Sequence, residues 1–177
     1  MDKIFTGFVL ATLLVSTLAL ALGAHAAIVG GTVYIRADGS IDPPTAPIQQ
    51  NSNIYTLTGN ITSDTRGIVM ERDNIVVDGS GFTVEGTGAY SSYGMYLDGR
   101  SNVTIQNTNI KNFTDGIWLS SSSNNSINEN SITSNSDGIR LGSSSNNSIN
   151  RNTITNNNYY GIELFDHSKY NRIDGNT

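Results

Sequence analysis

The chain contains no cysteine, which excludes disulfides, thiolate metal sites and cysteine nucleophiles together. Proline is almost as scarce, three in 177 residues, so neither a Pro-rich linker nor a collagen-like repeat is in view. Charge is thin as well: 14% of residues, against about a quarter in an average globular domain. Disordered segments combine many charges with few β-branched residues. Here Ile, Val and Thr are plentiful, so low charge argues for strands. The net charge of −5 leaves no basic surface to neutralise phosphates, and no nucleic-acid partner is expected. Asn, Ser, Thr and 18 glycines take the place of the missing charged and apolar residues. At this length a single domain is expected.

One long apolar run interrupts this polar composition. Lys3 precedes an apolar stretch from Ile4 to Leu22, and Ala24-His25-Ala26 then supplies a small-x-small pattern. That is the layout of a secretory signal peptide, a helix over residues 1–26 cut after Ala26. Asp2 offsets Lys3, and residues 4–22 are long enough to span a bilayer if cleavage does not occur. By either route the rest of the chain is expected outside the cytoplasm, secreted, extracellular or at the cell surface.

The remainder is a repeat. Gly116-Ile117-Trp118-Leu119 recurs as Gly138-Ile139-Arg140-Leu141 and Gly161-Ile162-Glu163-Leu164, and upstream as Gly94-Met95-Tyr96-Leu97 and Gly67-Ile68-Val69-Met70. Successive glycines are 27, 22, 22 and 23 residues apart. Each unit holds three short apolar stretches separated by turn residues, none long enough for a helix. Three strands in about 22 residues describe one coil of a parallel β-helix, an all-β solenoid in which each strand pairs with its counterpart one coil away.

Four inward ladders follow from this register. They are Ile68, Met95, Ile117, Ile139, Ile162; Met70, Leu97, Leu119, Leu141, Leu164; Val77, Ile105, Ile127, Ile149, Ile173; and Phe82, Ile110, Ile132, Ile154, with Ile61 starting the last. Asn125, Asn147 and Asn171 stand two positions before an inward Ile, so their amides are expected to bond along the axis. Asn130, Asn152 and Asn176 form a second such set. Residues 27–60 contain expected strands over 32–36 and 53–58, joined by a loop through Pro43, Pro44 and Pro47. They are expected to cap the first coil, since solenoids need a capping unit. Coils occupy 61–177, and the last stops short of its third apolar position, which reads as a C-terminally incomplete stack.

The repeated x-Gly-Ile-x-Leu followed by Asn-Asn-Ser-Ile-x-x-Asn-x-Ile resembles the right-handed, single-stranded parallel β-helix repeat proteins, including the NosD-like and the carbohydrate-binding and sugar-hydrolase groups. The opening, Tyr34 to Ile41 with Asp73 to Gly79 after it, resembles those of such proteins secreted by archaea. The resemblance is specific for fold and weak for function, because one fold hosts lyases, hydrolases, epimerases, adhesins and copper-site maturation factors. The NosD resemblance implies copper, yet after Ala26 the soft donors are only His167, Met70 and Met95, with both Met residues on inward ladders. No copper cofactor is therefore expected.

The outward position between two inward ladders reads Val69, Tyr96, Trp118, Arg140, Glu163 along the stack. Tyr96 and Trp118 offer ring faces to a sugar, and Arg140 can lie over Trp118, pair with Glu163 or hold a hydroxyl; the alternative is cross-strand packing. Asp115 and Asp137 precede the glycines of adjacent coils. They either share a cation, calcium being the candidate, or bond turn backbone in water. Glu163, Asp166 and His167, with Lys169 nearby, cluster without a recurring partner set, and no catalytic constellation is complete. Asn60, Asn102, Asn112, Asn124 and Asn146 lie in Asn-x-Ser/Thr sequons and are glycan-acceptor candidates.

The expected function is a secreted or cell-surface repeat protein acting as a structural and glycan-binding module, monomeric, with a polysaccharide or surface glycan as partner. Its low positive charge favours neutral sugars over polyuronates. The alternative is a fragment of a polysaccharide-active enzyme, a lyase, hydrolase or epimerase, with catalytic coils beyond residue 177.

Overall fold

The computed structural model describes residues 29–177, and the signal-peptide reading of residues 1–26 lies outside them. The described residues form strands and turns with no helix. Their strands assemble into three sheets that run along one axis, the parallel β-helix expected from the repeat. The first sheet contains Val33–Ile35, Arg66–Met70, Tyr93–Asp98, Asp115–Ser120, Asp137–Gly142 and Tyr160–Phe165, all parallel. The second contains Ile54–Leu57, Ile75–Asp78, Val103–Gln106, Ser126–Asn128, Ser148–Asn150 and Arg172–Asp174. The third contains Val29–Gly30, Ile61–Ser63, Thr83–Gly86, Asn109–Lys111, Ser131–Thr133 and Thr153–Thr155.

Three of the four expected ladders have the register read from the sequence. Ile68, Met95, Ile117, Ile139 and Ile162 are consecutive Cα partners, as are Met70 through Leu164 and Val77 through Ile173. Before the last coil their side chains fill one core, each large aliphatic group stabilising the fold by about 1.5–3 kcal/mol on burial. The fourth ladder needs a correction. Val84, not Phe82, pairs with Ile61 and Ile110. Seven positions separate Val77 from Val84, where five separate Ile105 from Ile110, and the two additional residues go into a tight turn. Ser80 and Gly81 have φ of 47° and 80° there, and the Phe82 amide donates to the Gly79 carbonyl at 2.8 Å. Phe82 packs against the core from this turn.

The recurring glycine has a steric cause. A Cβ on Gly116 would lie 2.6 Å from the Gly138 carbonyl oxygen and 2.7 Å from Ile132 Cγ2, so at this corner backbone and third-sheet side chains leave no room for a methyl. Three Asn ladders run along the axis, one at each corner of the coil. Asn125 donates to Asn147 and Asn147 to Asn171; Asn130 donates to Asn152 and Asn152 to Asn176, all at 2.9–3.1 Å between side chains. The third, from Asn135 to Asn157 at 3.1 Å, the sequence reading missed. Each amide also donates to a backbone carbonyl of the coil before it, as Asn147 does to Ser122 at 3.0 Å, so buried corners keep their polar groups paired.

Parallel stacking already begins at Val29, so residues 29–57 supply a coil as well as covering strands. Ile41–Asp42 runs antiparallel to Val33–Ile35, and Ile48–Asn51 antiparallel to Ile54–Leu57, each lying along the edge of that first coil. At the other end Leu164 and Ile173 are 38% and 47% exposed although their upstream ladder partners are buried.

Candidate functional site

The outward side of the first sheet carries Tyr34, Val69, Tyr96, Trp118, Arg140 and Glu163 as successive register partners. The three glycan-contact candidates, Tyr96, Trp118 and Arg140, are thus neighbours on one face. Two further rings join them. Tyr93 lies 5.4 Å from Tyr96 and 6.3 Å from Trp118, and Phe165 stacks on Trp118 at 5.5 Å. Phe165 reaches Trp118 because its register partner is Gly142: a Cβ there would fall 2.8 Å from the Phe165 ring. That glycine stands where Asp98 and Ser120 stand in earlier coils, and it was the one sequence signal for this contact.

Two arginines cover the rings. The Arg140 guanidinium sits 4.9 Å from the Trp118 ring and 5.0 Å from Phe165, and its Nε donates to Glu163 Oε2 at 2.6 Å. The Arg66 guanidinium sits 4.6 Å from Tyr96, and its Nε is buried without a hydrogen-bond partner. Beside Arg66, across the coils of Tyr34, Val69 and Tyr96, lies a hollow of about 340 Å³ lined by Tyr34, Arg66, Tyr96, Asp98 and Arg100. Arg100 donates to the Asp98 and Glu71 carbonyls there.

Asp115 and Asp137 are register partners, as expected, but neither is a solvated turn residue. Both open first-sheet strands, and the Asp115 side chain is only 2% exposed. Arg140 Nη1 lies 3.5 Å from Asp115, and Nε lies 3.9 Å from Asp137. One guanidinium thus gathers three carboxylates from three successive coils and supplies the positive charge that a shared cation would bring. Burial raises the Asp115 pKa to about 6; Arg140 pulls it down and Asp137 pushes it up. A raised carboxyl beside a second carboxyl is the pattern of a glycosidase acid. Here, however, Asp115 is sealed beneath Arg140, and a general acid must come within hydrogen-bond reach of its substrate.

Four of the five sequon residues, Asn102, Asn112, Asn124 and Asn146, adopt φ between 55° and 63°. Asn enters the left-handed region at least cost after Gly, which gives each a structural reason to be Asn. Asn112 also donates to Glu85 Oε1 at 2.9 Å, Asn102 to Asn74 Oδ1 at 3.1 Å, and Asn60 Oδ1 accepts from the Thr83 amide at 2.9 Å. Asn60, Asn102, Asn124 and Asn146 are exposed.

The soft donors do not converge. Met70 and Met95 lie inside the core, while His167 is exposed in the last coil. Among the described residues no three His, Asp, Glu or Cys side chains are arranged to hold a metal ion. Copper(I) and copper(II) sites need several His, Met or Cys donors on one centre, so the residues present do not fit a copper site.

No curated protein and no solved structure matches the chain. A family model does, over residues 24–177, under the description periplasmic copper-binding protein (NosD). Covering nearly all of the chain and coinciding with the stacked coils, that match identifies the protein as a member of the NosD family of periplasmic β-helix repeat proteins.

Proposed function

We propose that this protein is a secreted β-helix repeat module that binds glycan on the outward side of its first sheet. The observation that carries the reading is the continuous row of rings, Tyr93, Tyr96, Trp118 and Phe165, beside a hollow that Arg66 also lines. Aromatic rings present a flat apolar face with little conformational entropy to lose, and an arginine fork beside them supplies donors for hydroxyl or carboxylate oxygens. Tyr96 borders the hollow, whereas Arg140 is engaged by carboxylates; this shifts the expected polar contact from Arg140 towards Arg66.

Trp118 is the sole tryptophan, so its emission reports on this face. Titrating the chain with a panel of neutral and acidic oligosaccharides should shift that emission, and Tyr96→Ala should weaken binding about tenfold, as truncation of an aromatic anchor does. An unchanged emission across the panel, with polysaccharide retention indifferent to Tyr96→Ala and Trp118→Ala, would reduce the row to sheet packing.

A further inference from the structure

We propose that the corner joining the third sheet to the first carries a separate binding cleft for neutral oligosaccharides, walled by Tyr90 and Tyr159. Several turns depart from the 22-residue spacing of the repeat, and two of the lengthened ones lie at this corner. Two coils cross it with three residues each, 112–114 and 134–136. The coil before them uses six, 87–92, and the coil after them four, 156–159. The lengthened turns stand up on either side of the two short ones, three strand spacings or about 14 Å apart. A trough of about 520 Å³ lies between them.

Each lengthened turn holds a tyrosine in solvent. Tyr90 is 97% exposed and Tyr159 is 76% exposed, although the fold gains nothing by displaying either ring. The backbones beneath them are pinned. Ser92 Oγ donates to the Ala89 carbonyl at 2.6 Å and accepts from the Thr114 amide at 3.0 Å, while the Gly88 amide donates to the Asn112 carbonyl at 3.0 Å. On the other wall the Asn158 and Tyr159 amides donate to the Asn135 and Ser136 carbonyls at 2.9 and 2.8 Å. Binding therefore costs little backbone ordering.

The floor sets the ligand class. Asn112, Thr114, Ser134 and Ser136 present amide and hydroxyl groups, and no acidic or basic side chain lines the cleft. Rings that stack, uncharged donors and acceptors between them, and no charge to pair with a carboxylate or ammonium select an uncharged polyhydroxylated ligand over a polyuronate. The site shares no residue with the aromatic row of the first sheet, and the two readings stand or fall separately.

The test is calorimetric titration of the chain with hexasaccharides of glucose, xylose and mannose, and with a hexagalacturonate. Saturable binding of at least one neutral hexasaccharide is expected, with the uronate weaker and the heat retained in Trp118→Ala, since Trp118 lies outside the cleft. The double variant Tyr90→Ala/Tyr159→Ala should weaken binding about tenfold or more, as loss of aromatic anchors does. Both rings are exposed, so the variant keeps its fold, which circular dichroism and melting verify. No heat with any neutral hexasaccharide, or equal affinity in the double variant, overturns the cleft. Binding lost in Trp118→Ala but kept in the double variant also overturns it, and assigns the sugar to the first-sheet row.

Discussion

Asp115 is the residue whose charge is most at odds with its surroundings. Its pKa rises from 3.8 to about 6 because burial penalises the carboxylate, more than the Arg140 guanidinium compensates. The folded chain then binds this proton more tightly than the unfolded chain, so between pH 3.8 and about 6 stability from this group falls as pH rises. Asp78 acts in the opposite sense and in another window. Burial pushes its pKa up, but hydrogen bonds from Gln106, Ser80 and Asn107 outweigh that and hold it below 3.8, so its contribution is lost only in stronger acid. Asp115→Asn should therefore flatten the melting profile between pH 4 and 6 and raise the melting temperature at pH 8, while Arg140 keeps Glu163. A profile that declines in the variant as in the parent would show that Asp115 is ionised throughout. Gly116→Ala tests the same corner sterically: its methyl meets backbone at 2.6 Å, and overpacking of that kind costs about 1–3 kcal/mol or more.

Among the elements, the ladders carry the stability. Ile139 is fully buried between Ile117 and Ile162, so Ile139→Ala should cost roughly 2–5 kcal/mol in chemical denaturation, the usual range for a large-to-small core change. An unchanged midpoint would contradict the inward register. The amide ladders make a different prediction. Asn147 receives the Asn125 amide groups and donates to Asn171 and Ser122, all in the interior. Asn147→Ala leaves several of these groups unpaired at about 1–3 kcal/mol each. Asn102→Ala, at an exposed turn, removes one contact and puts Ala at a φ of 55°, and should cost less than Asn147→Ala. Phe82 shows where element reasoning slipped. Apolar spacing alone placed it in a strand, and a two-residue turn insertion moved that role to Val84.

At the scale of the molecule, a chain this poor in charge and apolar residues folds because the solenoid core needs only a few aliphatic columns on the inner faces of its strands. Most other residues face water or close turns. Repeats contact only their neighbours, so stability accumulates coil by coil, and among the described residues no metal-ligand cluster joins the coils. Melting temperatures in EDTA, calcium and copper should accordingly coincide. A rise of several degrees with calcium would place a cation at Asp115 and Asp137 in competition with Arg140, since a ligand that binds only the folded state stabilises it.

The architecture was legible in the sequence because a parallel β-helix repeats one local instruction. Gly-Ile-x-Leu at a fixed interval names the inward columns, the coil length and the Asn corners without knowledge of any distant contact. The neighbours Tyr96, Trp118 and Arg140, and the pairing of Arg140 with Glu163, followed from the same register. What lies off the repeat was not legible. Only the stacked coils bring Arg140 over Asp115, 25 positions earlier, and convert a carboxylate that reads as solvated into a buried one. Only they set Phe165 on Trp118 across the space left by Gly142, and raise Tyr90 and Tyr159 on two walls of one cleft. Periodicity fixes which residues share a column. The lengths of the turns between columns decide what stands in the solvent, and those lengths carry meaning only once the coils are stacked.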